Sequence, residues 1–137
     1  MLLLVTLTGA AQTASPAMPQ ATARPAADAA LIARGEYLAT RVAMCVQCHS
    51  PRDDRGNILD EQKFRGGAIP FRSPYPSKEF AFLAPNISGL PGFTDDQIVA
   101  LLTEGQATDR QAPRAPMPPF RMAQDDARAI VAYLRSR

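Results

Sequence analysis

Cysteine and histidine are scarce in this sequence, which has two cysteines and one histidine among 137 residues. Because the two cysteines lie close together in the chain, disulfides between distant segments cannot stabilise the fold. The net charge of +2 comes from scattered basic and acidic side chains without a lysine-rich run, which argues against nucleic-acid binding. No apolar run reaches the roughly 20 residues that a membrane-spanning helix needs, so we expect no transmembrane segment.

Residues 1–23 have several features of an export signal. A leucine-rich apolar run gives way to a stretch rich in alanine, proline and threonine. Residues 21–23, Ala-Thr-Ala, offer a cleavage site, and Ala10, Ala11 and Ala14 are earlier options. The usual basic segment is missing, since the first basic side chain is Arg24. We expect residues 1–23 to be a signal peptide or flexible leader, and residues 28–137 to form the folded domain. The alternative is a disordered tail at an intracellular N-terminus.

The first helical signal follows Asp28, a candidate N-cap residue. Apolar or small residues then recur at the spacing of one helix face. They are Leu31, Gly35, Leu38 and Val42. The same spacing continues to Cys45 and His49, so we expect the first helix to lead into the cysteine pair.

Two later segments also predict helices. The second helix opens at Thr94 with a capping box and ends at Gly105. The third runs from about residue 124 to residue 135 and repeats apolar residues every three or four positions. Those residues are Ala127, Ile130, Val131 and Leu134.

The stretch from residue 50 to residue 93 shows neither helical nor strand periodicity, and proline and glycine interrupt it repeatedly. Large apolar side chains are few, because alanine makes up much of the apolar set. A thin core and a long irregular stretch indicate either an element that the pattern hides or a ligand that supplies the packing.

The only histidine of the chain closes the motif Cys45-Val46-Gln47-Cys48-His49, the attachment signature of c-type haem. On a helix these cysteines and the histidine project to one side. Each cysteine can then bond a vinyl-derived carbon of the porphyrin while His49 reaches the iron. A zinc site or a simple disulfide remains as the alternative, although zinc prefers four ligands. A thioredoxin-like dithiol would need an α/β pattern, which the sequence does not show.

The second axial ligand has to come from another residue type, since there is no second histidine. Two of the five methionines lie in the leader, and Met44 adjoins Cys45 on the wrong side of the ring. We favour Met117 over Met122 because the prolines around Met117 bar a helix, hold the backbone extended and remove N–H donors. Met122 is expected to pack as an ordinary apolar side chain. The other alternative is a five-coordinate iron.

Together these motifs resemble class I cytochrome c from residue 28 to the C-terminus. More closely, the chain is similar to single-haem cytochrome c subunits or domains of periplasmic and membrane-bound dehydrogenases. The segments that carry this closer resemblance are residues 34–39, 64–67, 84–88, 94–98, 117–118 and 126–134.

The resemblance implies an all-α, cytochrome c-like fold, a small helical domain wrapped around one covalently attached haem c. It places Gly35 or Tyr37 where the first and last helices cross. Their expected neighbours are Tyr133 and Leu134. Ala123 departs from the family, because it stands where relatives have a capping serine or threonine.

A His49/Met117 ligand pair predicts an electron carrier and not an enzyme. The soft thioether favours ferrous iron, and six-coordination closes the iron to substrates, so no catalytic residue is expected. We expect a periplasmic protein that accepts electrons from a dehydrogenase, as a free shuttle or a fixed subunit, and passes them to another cytochrome or an oxidase. The alternative is a haem enzyme or gas sensor with an open sixth site.

Two further surfaces are predicted around the haem. The candidate partners of the haem propionates are Arg65, Arg72, Tyr75 and Asn86. A candidate docking patch of low polarity comprises Pro118, Pro119 and Phe120, with an ordinary packed loop as the alternative.

Overall fold

The computed structural model describes residues 23–75, 79–106 and 112–137, with side chains from residue 28 onward. The predicted leader therefore falls almost wholly outside the described residues. Over these ranges the helices are α1 (Ala23–Tyr37), α2 (Cys45–Cys48), α3 (Asp95–Glu104) and α4 (Gln124–Arg135). A π-helical turn, Leu38–Val42, extends α1, and a 3₁₀ turn spans Asp60–Gln62. The only strands in the described ranges are β1 (Gly67–Ala68) and β2 (Leu83–Ala84), so the predicted all-α class is confirmed.

The first and last helices cross at Gly35, as expected. A Cβ atom built on Gly35 would overlap the carbonyl oxygen of Ala129 and lie 2.7 Å from the Cβ of Tyr133, so only glycine permits this approach. Tyr37, the other candidate for the crossing, is 53% exposed, so the close contact is made at Gly35. Two residues along a helix turn the side chain by roughly 200°, which takes Tyr37 away from the contact that Gly35 makes.

The predicted face of the first helix is only partly correct. The helix begins at Ala23, so Asp28 does not cap it. Leu31 is 40% exposed and Val42 is 55% exposed, whereas Leu38 and Ala39 are buried. The π-helical turn explains the difference at Val42, because each wider turn shifts the side chains that follow around the axis.

The two later helices form as predicted. Thr94 caps α3 through a reciprocal capping box with Gln97, in which each side chain accepts a hydrogen bond from the other residue's backbone N–H, and Gly105 ends the helix in the left-handed region at φ 80°. All the apolar residues predicted for the inner face of α4 are buried. Ala123 precedes α4 without a side-chain cap.

The irregular middle of the chain is held against the helices by specific hydrogen bonds. The buried hydroxyl of Ser50 accepts a bond from the N–H of Phe64 at 3.0 Å, and the Phe64 ring packs edge-on against Tyr133. At the other end, the guanidinium of Arg135 donates to the carbonyls of Gly89, Leu90 and Phe93. Residues 50–93 are thereby packed against α4 at both ends of the segment.

The short strands β1 and β2 pair antiparallel, with Gly67 opposite Ala84 and Ala68 opposite Leu83.

None of the helices in the described ranges is both long and apolar enough to span a bilayer.

Candidate functional site

A cavity of about 560 Å³ lies between the cysteine motif, the strand pair β1 and β2, α3 and the loop before α4. Its volume is in the usual range of about 300–1,000 Å³ for sites that bind small molecules and cofactors. The residues proposed from the sequence as cofactor ligands, Cys45, Cys48, His49 and Met117, all line it. Most of the remaining wall is aliphatic, aromatic or proline, including Ile69, Leu83, Ile87, Phe93, Ile98 and Phe120.

The two cysteines lie on the single turn of α2. Met44 lies in the left-handed region at φ 55° and breaks the helix between the π-helical turn and α2. The motif therefore does not continue the first helix as predicted. Burial raises the pKa of the Cys45 thiol to about 11. Burial also raises the pKa of Cys48, and the nearby guanidinium of Arg52 partly opposes that shift. Both thiols are protonated at neutral pH, unlike the low-pKa thiolates of redox-active dithiols.

His49 is oriented by one hydrogen bond. Its side chain is buried, and Nδ1 lies 2.8 Å from the carbonyl oxygen of Pro85. A carbonyl only accepts, so Nδ1 carries the proton and donates, which leaves Nε2 unprotonated. Burial lowers the pKa of His49 and keeps the ring neutral. A neutral imidazole held through its second nitrogen is the usual arrangement of a metal-ligating histidine.

Met117 closes a turn, since its N–H donates to the carbonyl of Arg114 at 3.2 Å. The peptide bond between Ala115 and Pro116 is cis. The backbone from Arg114 to Met117 therefore turns, which differs from the extended backbone that the prolines predict. Met117 is half-buried in the cavity wall. The side chain of Met122 packs against the core, and Met122 is not among the cavity-lining residues.

The side chains chosen from the sequence as propionate partners all lie outside the cavity lining. They are Arg65, Arg72, Tyr75 and Asn86, and each is exposed. The predicted docking patch divides, since Pro118 and Phe120 line the cavity and Phe120 also packs against the core. Sequence reasoning missed Arg114, which does line the cavity. Its position three residues before Met117, the spacing of a turn, is the signal that points to it.

The donor set fits a covalently attached haem. Two neutral thiols and a buried imidazole with a free Nε2 face an apolar space, and a thioether lines the same space. A porphyrin is large and apolar, and its iron prefers such nitrogen and sulfur ligands. The same cavity would leave the thin core unfilled without such a group.

Comparisons with known proteins agree with this site. A family model described as cytochrome c matches residues 32–137. The chain is also 32% identical over 111 residues to the cytochrome c subunit of a quinone alcohol dehydrogenase of Gluconobacter oxydans (strain 621H). That alignment covers 78% of this chain and 21% of the relative, so the chain spans only a small part of the relative's length. The chain therefore belongs to the cytochrome c family of electron-transfer proteins and carries covalently bound haem c.

Proposed function

We propose that this protein carries single electrons between redox proteins, with haem attached through Cys45 and Cys48 and the iron held between His49 and Met117. The observation that supports the proposal is the convergence of these four side chains on one apolar cavity. When bound, the haem supplies the redox chemistry, in which its iron gains or loses one electron. The chain attaches the group, orders its ligands and excludes water.

Cys45 and Cys48 are suited to attachment because both lie on one helical turn and both border the cavity. His49 follows directly, and its hydrogen bond to Pro85 leaves Nε2 as the ligand atom. The imidazole ring of His49 is therefore oriented before any metal is bound. This preorganisation limits the rearrangement at the iron that each electron transfer would otherwise require.

Met117 would supply the second protein ligand of the iron. A thioether is a soft donor that stabilises ferrous iron, so it raises the reduction potential above that of a site with two nitrogen ligands. With both His49 and Met117 bound to the iron, the site would offer no open position to dioxygen or a substrate. We therefore infer a carrier and not a catalytic centre.

We further propose that the electron donor is a dehydrogenase and the acceptor another cytochrome or an oxidase. The support is the similarity to a protein named as the cytochrome c subunit of a quinone alcohol dehydrogenase. Residues 1–23 would direct export to the periplasm, and residues 28–137 would form the cytochrome domain. Haem attachment needs reduced thiols in an otherwise oxidising compartment, which agrees with this location.

Carbon monoxide binding to the reduced holoprotein tests the ligand set. We expect slow or undetectable binding to the wild type, rapid binding to Met117→Ala, and wild-type behaviour in the matched variant Met122→Ala. A denaturing gel stained for haem checks that all three proteins retain the covalent group. Rapid, tight binding by the wild type would favour the enzyme or gas-sensor alternative, and rapid binding by Met122→Ala alone would move the ligand to Met122.

A further inference from the structure

The cavity lining is almost without charge. Among the described residues that line it, Arg114 is the only arginine, lysine, aspartate or glutamate. Haem c brings two carboxylate side chains into this environment. A carboxylate beside apolar walls is costly unless a cation or hydrogen-bond donors meet it.

The place of Arg114 is set by the backbone. Its carbonyl accepts the hydrogen bond that closes the turn to Met117, and the next carbonyl, that of Ala115, accepts a bond of 2.6 Å from the N–H of Ala81. Ala81 lies two residues before β2 and also lines the cavity. The loop is thus tied to the segment just before β2, and Arg114 both lines the cavity and is exposed to solvent.

Arg114 also differs from the arginines whose guanidinium groups are engaged elsewhere. Arg34 pairs with Asp126, Arg52 donates to Gln47 and Gly56, and Arg135 donates to Asp95 and to carbonyls of the middle segment. Within residues 23–75, 79–106 and 112–137, no acceptor hydrogen-bonds the guanidinium of Arg114. Its donors are therefore not occupied by any residue in those ranges.

We propose that Arg114 is the hydrogen-bonding counter-charge for a carboxylate of the bound haem and thereby raises the reduction potential of the site. This inference rests on the proposed function. A guanidinium can bind a carboxylate through two parallel N–H donors, whereas a lysine ammonium supplies the same charge without that geometry. The effect on the reduction potential depends on the charge, which both side chains carry. The positive charge cancels the negative carboxylate, which would otherwise stabilise ferric iron.

The test is spectroelectrochemical titration of the holoprotein and of Arg114→Gln, Arg114→Lys and Arg65→Gln. Arg65 is the matched control because it is exposed, lies outside the cavity lining and carries the same charge. At the potential that half-reduces the wild type, we expect Arg114→Gln to lower the ratio of reduced to oxidised protein roughly three- to tenfold. This range corresponds to one unit charge removed about 10 Å away at an effective dielectric constant of about 25 to 50. Arg114→Lys and Arg65→Gln should each stay within about twofold of the wild type.

An unchanged ratio in Arg114→Gln, or an equal fall in Arg65→Gln, would overturn the role of Arg114. The near-infrared band of methionine-ligated ferric haem separates this result from a failure of the proposed function. If that band is present in the wild type and the ratio still does not change, only the inference about Arg114 fails. If the band disappears in Arg114→Gln and Arg114→Lys does not restore it, the residue supports the turn and not the haem charge, which also overturns the inference.

Discussion

Replacing Gly35 with alanine tests the helix crossing that supports one side of the domain. The added methyl group would overlap the carbonyl oxygen of Ala129 and lie 2.6 Å from the Ala129 carbonyl carbon. Both atoms are backbone of α4, so no side-chain rotation can relieve the contact. Overpacking costs up to about 3 kcal/mol, and the better helix propensity of alanine returns about 1 kcal/mol. The expected net loss is about 2 kcal/mol of the free energy of unfolding.

For a domain of this size such a loss lowers the melting temperature by about 5–15 °C. Guanidinium and thermal unfolding of the holoprotein, followed by circular dichroism, measure both quantities. Ala33→Gly is the matched control, because Ala33 is exposed on the same helix and should lose only the propensity difference of about 1 kcal/mol. A Gly35→Ala protein as stable as the wild type would show that α1 and α4 do not approach as closely as the structure has them.

Two further predictions concern the ends of α4. Arg135→Leu should cost about 2–3 kcal/mol in denaturant unfolding, because it removes the ion pair with Asp95 and charge-assisted bonds to three carbonyls. Arg128→Leu is the control: Arg128 lies 4.0 Å from Asp125 in an exposed ion pair, so its loss should change the free energy of unfolding by less than about 0.5 kcal/mol. Equal losses in the Arg135 and Arg128 variants would refute the special role of Arg135. Ala123→Ser should add about 0.5–1 kcal/mol, because the extended backbone there suits an N-cap side chain. Ala123→Val is the control, and a gain equal to that of serine would rule out capping as the cause.

The features that the sequence predicts well depend on neighbours within a few residues. The capping box of Thr94, the glycine that ends α3 and the apolar face of α4 each involve a single turn or helix, so their patterns are complete in the sequence. The haem interpretation of the cysteine motif is of the same kind, and membership of the cytochrome c family decides it against the zinc and disulfide alternatives. Covalent attachment chemistry needs only correctly spaced groups on one turn.

The errors occur where the backbone departs from a regular helix or where distant contacts override local patterns. The π-helical turn and left-handed Met44 interrupt a spacing that looked continuous from Leu31 to His49. Tyr37 and Gly35 were equal candidates for the crossing until the packing of α4 against α1 distinguished them. Arg114, which lines the cavity, was missed because the turn that joins it to Met117 carries only a weak pattern in the sequence.

The sequence alone therefore determined the helix boundaries of α3 and α4 and the cysteine motif, because their physical causes are local. Only the tertiary structure decided that Met117 and Arg114 border the same cavity as His49, and which nitrogen of His49 is free. Those outcomes depend on hydrogen bonds between segments far apart in the chain, from Ala81 to Ala115 and from His49 to Pro85. Irregular segments carry no periodicity that would reveal such partners before the chain has folded.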